Sequence, residues 1–122
     1  MRAQPKLPLE LGTYCGYSAP RTVRAAPADA HLVSIEFNAA NAAIARNILE
    51  HAGVAQRVTI VLGTLGDGGK TIAKLKDTLG FAPSKLDFAF IDHAKEAYLP
   101  DIETILRERW LRPGAIVVAD NV

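Results

Sequence analysis

Five short apolar runs, separated by stretches long enough to be helices, organise this chain. They cover residues 7–11, 31–37, 57–62, 86–92 and 115–119. Each is nearly continuous in apolar character, without the polar alternation of a half-solvated strand. Strands of that composition are buried on both faces, as in a parallel sheet with helices above and below it. Between the runs, residues 39–52 carry Ile44, Ala45, Ile48, Leu49 and Ala52 at helical spacing. Asn38 is placed to cap that helix and Gly53 to stop it. Residues 71–79 turn Ile72, Leu75 and Leu79 inward and set Lys70, Lys74 and Lys76 outward, with Gly80 as the terminator. Residues 98–110 form a third amphipathic stretch, ended by Arg112, Pro113 and Gly114. Strand and helix alternate, which predicts an α/β fold with right-handed crossovers.

Composition narrows the function. The 122 residues make one domain, without repeats or a linker. Fourteen Lys and Arg against 13 Asp and Glu leave a net charge of +1. Coating a nucleic acid or an anionic membrane needs a concentrated basic surface, so neither is an expected partner. A single cysteine, Cys15, excludes an internal disulfide and reads as a small buried filler. No apolar run approaches the ~18–20 residues of a membrane span. The polar N-terminus lacks the apolar core of a signal peptide. The expectation is a soluble, cytoplasmic protein.

The segment from Glu10 to Ser18 leaves the first strand and opens a helix. Gly12 permits a tight turn and Gly16 a close backbone approach to a ligand. Free N–H groups behind it suit a carboxylate or a phosphate. Glu36 ends the second strand about twenty residues later, where an acid can grip ribose hydroxyls. Tyr14 stands where a dinucleotide fingerprint has its middle glycine, which favours a nucleoside ligand without phosphates. The bland alternatives are a plain strand–helix turn and a solvated strand-end acid. Residues 66–71 imitate a phosphate-binding loop, but Thr64 stands where that motif requires glycine. They read as a flexible turn into a helix with a solvated basic face.

Asp92 ends the fourth strand, and Asp120 and Asn121 follow the fifth. Carboxyl ends of neighbouring parallel strands converge on one crevice. Two carboxylates and an amide oxygen there suit Mg²⁺; otherwise the acids cap their loops. Lys95 is either a surface lysine or a general base whose ammonium form is destabilised by nearby positive charge. His93 lies against a base or packs in its loop. No Ser/His/Asp triad can be assembled, and Ser18 has its task at the helix start.

The segments 9–19 (LELGTYCGYSA), 34–38 (SIEFN), 90–101 (FIDHAKEAYLPD) and 118–122 (VADNV) together closely resemble the catechol O-methyltransferase family, in family order. The resemblance implies a Rossmann-like class I methyltransferase sandwich, parallel strand order 3-2-1-4-5, using S-adenosylmethionine and Mg²⁺. By position, Glu10 and Gly12 border the methionine end of the cofactor and Ser18 binds its carboxylate. Glu36 holds the ribose, Phe37 lies beside the adenosine and His93 touches the adenine. Tyr14, Gly16, Gly63, Leu65 and Asp92 complete the cofactor set. Asp92, Asp120 and Asn121 resemble the Mg²⁺ ligands, and Lys95 the base. The implied reaction is an SN2 methyl transfer to a hydroxyl of a catechol-type small molecule. The related caffeoyl-coenzyme A enzymes have Asp-Ala-Asp-Lys where this chain has Asp92-His93-Ala94-Lys95, so His93 favours the catechol branch.

There are departures. Leu65 and Gly66 replace a serine and a glutamine near the adenine, and Ala94 replaces an aromatic wall residue. The family's N-terminal helices, its last two strands and an acid that grips the second catechol oxygen have no counterpart. An incomplete domain is therefore expected, with self-association through an exposed fifth-strand edge. Two alternatives stand beside catechol methylation: another ortho-dihydroxy phenol as substrate, or a silent cofactor-binding module.

Overall fold

The computed structural model describes residues 7–12, 24, 30–91 and 95–119. In chain order its elements are β1 (Pro8–Leu11), β2 (Leu32–Glu36), α1 (Ala39–His51), a 3-10 turn (Ala55–Arg57) and β3 (Val58–Leu62). Then come α2 (Lys70–Asp77), β4 (Leu86–Ile91), α3 (Lys95–Arg107) and β5 (Leu111–Ala119). The five strands form one sheet in the order β3-β2-β1-β4-β5. Every neighbouring pair is parallel. That is the order and the sense expected from the sequence.

Strand alternation divides the core into two layers. Leu9 and Leu11 of β1, Val33 and Ile35 of β2 and Val61 of β3 face α2 and α3, where they pack with Leu75, Ile105 and Trp110. Leu32, Val58 and Ile60 face the other way and pack with Ala42, Ala45 and Leu49 of α1. Trp110 is the largest fully buried side chain. Its ring meets Phe81 edge-on at 5.1 Å between centroids, a geometry favoured by the aromatic quadrupole.

Helix ends follow local chemistry. Asn38 Oδ1 accepts from Asn41 N at 3.0 Å, so the expected cap of α1 is present. At the other end Gly53 adopts φ +75°, and Arg24 Nη2 donates to Ala52 O at 2.9 Å. Gly80 likewise takes φ +75° just beyond α2.

Three expectations need correction. The buried stripe of α1 runs through Ala42, Ala45 and Leu49, while Ile44 and Ile48 are exposed. Alanines let the helix lie close against β2 and β3, which a stripe of isoleucines would hold apart. The third helix spans Lys95–Arg107, not 98–110. Arg109 turns left-handed at φ +60°, and Trp110 leaves the helix to enter the core. Arg112, Pro113 and Gly114 lie within β5 rather than before it. Proline is tolerated on an edge strand, where its missing donor faces away from the sheet. The irregularity appears as a register shift: Leu86 pairs with Leu111, yet Phe88 pairs with Ile116. Among the described residues, no helix is long and apolar enough to cross a membrane.

Candidate functional site at the carboxyl ends of the strands

The ends of β1, β2 and β3 are tied together. Gly12 N donates to Ile35 O at 2.9 Å, and Gly63 N donates to Glu36 O at 2.8 Å. Because Leu11 and Ile35 point toward α3, the alternate residues Glu10, Ser34 and Glu36 point to the opposite face. Glu10 and Ser34 are register partners, and Ser34 Oγ donates to Glu10 Oε1 at 2.6 Å. Asn38 N donates to Glu36 Oε2 at 2.9 Å. Glu36 is only 2% exposed, so it is not a solvated strand-end acid. Each of these carboxylates makes further interactions within the chain. A buried carboxylate is costly unless hydrogen-bonded, and these bonds hold both acids in place at the strand ends.

On the α3 side of the same ends lies a cavity of about 390 Å³. Leu11 at the end of β1 with Gly12 after it, and Ile35 of β2 with Phe37 just beyond the strand, form one wall. Residues 63–66, leaving β3, form a second, and Pro100 and Asp101 of α3 close the third. Phe37 is 68% exposed, an aromatic face standing at the mouth. Leu65 belongs to the core, so little of its surface is left for a ligand. Pro100 lies inside α3 and removes one helical N–H there; Thr104 Oγ1 donates to Pro100 O at 3.0 Å.

The loop after β3 is held by a capping device that the sequence reading did not isolate. Asp67 Oδ1 accepts from Thr71 N at 3.1 Å, and Asp67 Oδ2 accepts from Thr71 Oγ1 at 2.6 Å. Burial alone would raise the Asp67 carboxyl. The bonds from Thr71, from its side chain and its backbone, with those from the Thr64 and Lys70 backbones, outweigh burial and hold it below its ordinary value of 3.8. Gly68 and Gly69 take φ +82° and +98° to bring Asp67 round. A Cβ on Gly63 would run into Thr71 Oγ1 and come within 3.3 Å of Asp67 Oδ2. The segment that imitates a phosphate loop is thus filled by its own aspartate. The available signal was an acid four residues before Thr71, at a helix start.

Of the candidate residues, Gly12, Phe37, Gly63 and Leu65 line this cavity, and Glu10 and Glu36 lie at the strand ends on the other face. Tyr14, Gly16, Ser18, Asp92, His93, Asp120 and Asn121 lie outside the described residues, as does Ala94. Lys95 opens α3. Among the described residues, no group of three His, Cys, Asp or Glu side chains could hold a metal ion. The positions before Asp92 and Asp120 are nonetheless paired, since Ile91 and Ala119 are register partners on adjacent strands.

The comparisons agree with this architecture. The family described as O-methyltransferase matches residues 3–122. A probable O-methyltransferase of Mycobacterium tuberculosis is 58% identical over 121 residues, covering 99% of this chain and 51% of that protein. The catechol O-methyltransferase of Sus scrofa is 44% identical over 121 residues, covering 98% and 61%. Among solved structures, the O-methyltransferase of Bacillus cereus in complex with SAH superposes with a TM-score of 0.83 at 29% identity, covering 96% of this chain and 50% of that one. The O-methyltransferase TomG of Streptomyces achromogenes, in complex with SAM, gives 0.77 at 36% identity, covering 97% and 49%. The chain spans about half the length of the first of these curated relatives and about three-fifths of the second. With its all-parallel sheet in the order β3-β2-β1-β4-β5, this chain belongs to the O-methyltransferase family.

Proposed function

We propose that this chain is the cofactor-binding part of an O-methyltransferase that moves a methyl group from S-adenosylmethionine to a hydroxyl of a catechol-type small molecule. The observation that carries the reading is a buried glutamate at the end of β2, with an open cavity beginning at the next residue, Phe37. Strand-end acids of this kind grip the two ribose hydroxyls of a nucleoside. The solved relatives in complex with SAM or SAH support that ligand class. In this reading Glu36 holds the ribose, Phe37 lies against the base, and Gly12 and Gly63 let the backbone approach. Glu10, Tyr14, Gly16 and Ser18 serve the methionine end, and His93 the adenine.

A metal fits the donor chemistry. Asp92, Asp120 and Asn121 follow strands whose last residues are paired, and they are hard oxygen donors of the type Mg²⁺ takes. The bound cofactor supplies a sulfonium methyl, and the metal supplies Lewis acidity that lowers the pKa of a coordinated hydroxyl. Lys95 takes the hydroxyl proton. The walls of the site would hold the acceptor hydroxyl beside the bound cofactor and exclude water, so the chain would act mainly through proximity and orientation. The uncovered β5 edge supports association of two copies. Transfer of labelled methyl to catechol, assayed with Mg²⁺ and with EDTA, tests the reading. Transfer that is lost in EDTA and in Asp120→Ala is expected. Full-rate transfer in EDTA overturns the metal assignment, and binding of cofactor without transfer to any ortho-dihydroxy phenol indicates a silent module.

A further inference from the structure

Asp101 is not absorbed by that reading. It lies in the second turn of α3, is only 5% exposed, and forms part of the cavity wall facing residues 63–66. The other described lining residues offer apolar side chains, glycine backbone, or the hydroxyl of Thr64. Asp101 is the only ionisable residue among them. Leu65 and Gly66, on the opposite wall, bring no polar side chain to a ligand.

A heterocyclic base seated there, with its face on Phe37 and its ribose passing over the end of β2 to Glu36 on the other side, has its polar edge to satisfy. A carboxylate only accepts hydrogen bonds. It therefore favours an edge that carries an exocyclic amino group and opposes one that presents a carbonyl oxygen. Asp101 already interacts within the chain, and a carboxylate offers about four acceptor sites, so a carboxylate partnered in the chain can still accept from the base. Resting on the nucleoside-cofactor reading above, we infer that Asp101 is a specificity-determining residue that selects a cofactor with a 6-amino base over its 6-oxo counterpart.

The test is a pair of calorimetric titrations, S-adenosylhomocysteine and S-inosylhomocysteine, into the wild-type chain and into Asp101→Asn. The two ligands differ at the base edge alone. A charge-assisted bond of ordinary strength predicts a wild-type preference for the adenosyl ligand of about 10- to 100-fold. In Asp101→Asn, whose amide can donate as well as accept, the preference falls toward unity. Because a ratio is read, a partly folded variant scales both affinities alike and does not disturb the result. Asp101→Ser is the second variant should the first not fold, and it too is expected to lose the preference. A wild-type ratio near one, or a ratio unchanged in the variants, overturns the inference while leaving the cofactor site standing. Failure of both ligands to bind the wild type overturns the cofactor site itself.

Discussion

Glu36 and Val117 lie near the carboxyl ends of strands in the same sheet and depart from ordinary burial in opposite directions. The carboxylate is 2% exposed, while the valine is 44% exposed. Buried acids and clustered exposed aliphatics are the informative deviations, because scattered exposed apolar residues are normal on any surface. At the end of β2 the burial cost is met by hydrogen bonds, and the strand ends open onto a cavity. On β5, Ile116, Val117 and Val118 are exposed in succession, so both faces of the strand keep apolar surface in contact with solvent. In the reading proposed above, the first region holds a ligand. The second is an edge without charges to protect it over residues 115–119, the kind that invites pairing with another strand.

The contrast depends on β5 being firmly attached despite its exposure, and buried Trp110 anchors its start beside the ladder with β4. Leu86 N donates to Trp110 O at 2.8 Å just before the strand begins. Trp110→Ala is expected to cost about 3–5 kcal/mol by urea unfolding. A loss under about 1 kcal/mol would show that β5 is held loosely and that its exposure says little. On the ligand side, Gly63→Ala forces a methyl onto Thr71 and is expected to cost about 2–3 kcal/mol, with the loop after β3 displaced. An unchanged unfolding midpoint would mean the cavity wall is not held by that contact.

Asp67→Asn sharpens the same point through pH. Its carboxyl is held below 3.8 in the folded chain. The stabilisation it gives is therefore complete above that value and is lost as pH falls through the lowered one. At pH 6 the variant is expected to lose about 1 kcal/mol, as for a helix cap, with the gap to wild type narrowing toward pH 3. A gap independent of pH would rule out the charged form as the cap. The smallest effect belongs to the edge. Val117→Lys is expected to change stability by no more than about 0.5 kcal/mol while reducing any association seen by sedimentation. Association that survives it would remove β5 from the interface.

What could be read from the sequence follows the physics of each element. β1 to β4 were legible because strands buried on both faces read as near-continuous apolar runs, broken only by single polar residues. The start of β5 was not, since Pro113 and Gly114 imitate a breaker and only the sheet shows that they lie on an edge. The face of α1 was misread because alanine carries too little hydrophobicity to outvote Ile44 and Ile48. Gly12 and Glu36 were visible from their spacing after apolar runs, and Phe37 only through the family resemblance. Asp67 was hidden by its resemblance to a phosphate loop, and Asp101 by its place among the charges of α3. Nothing short of the tertiary arrangement distinguishes a buried acid on a helix from a solvated one.

The central claim is that Glu36 at the end of β2 is a ligand group for a nucleoside cofactor. The direct measurement is calorimetric titration of S-adenosylmethionine into the chain and into Glu36→Ala, with urea unfolding of both. Two hydroxyl-to-carboxylate bonds at about 1.5–3 kcal/mol each predict a loss of at least about 100-fold in affinity, against a much smaller change in stability. A folded Glu36→Ala variant that binds S-adenosylmethionine as tightly as the wild type would contradict the account.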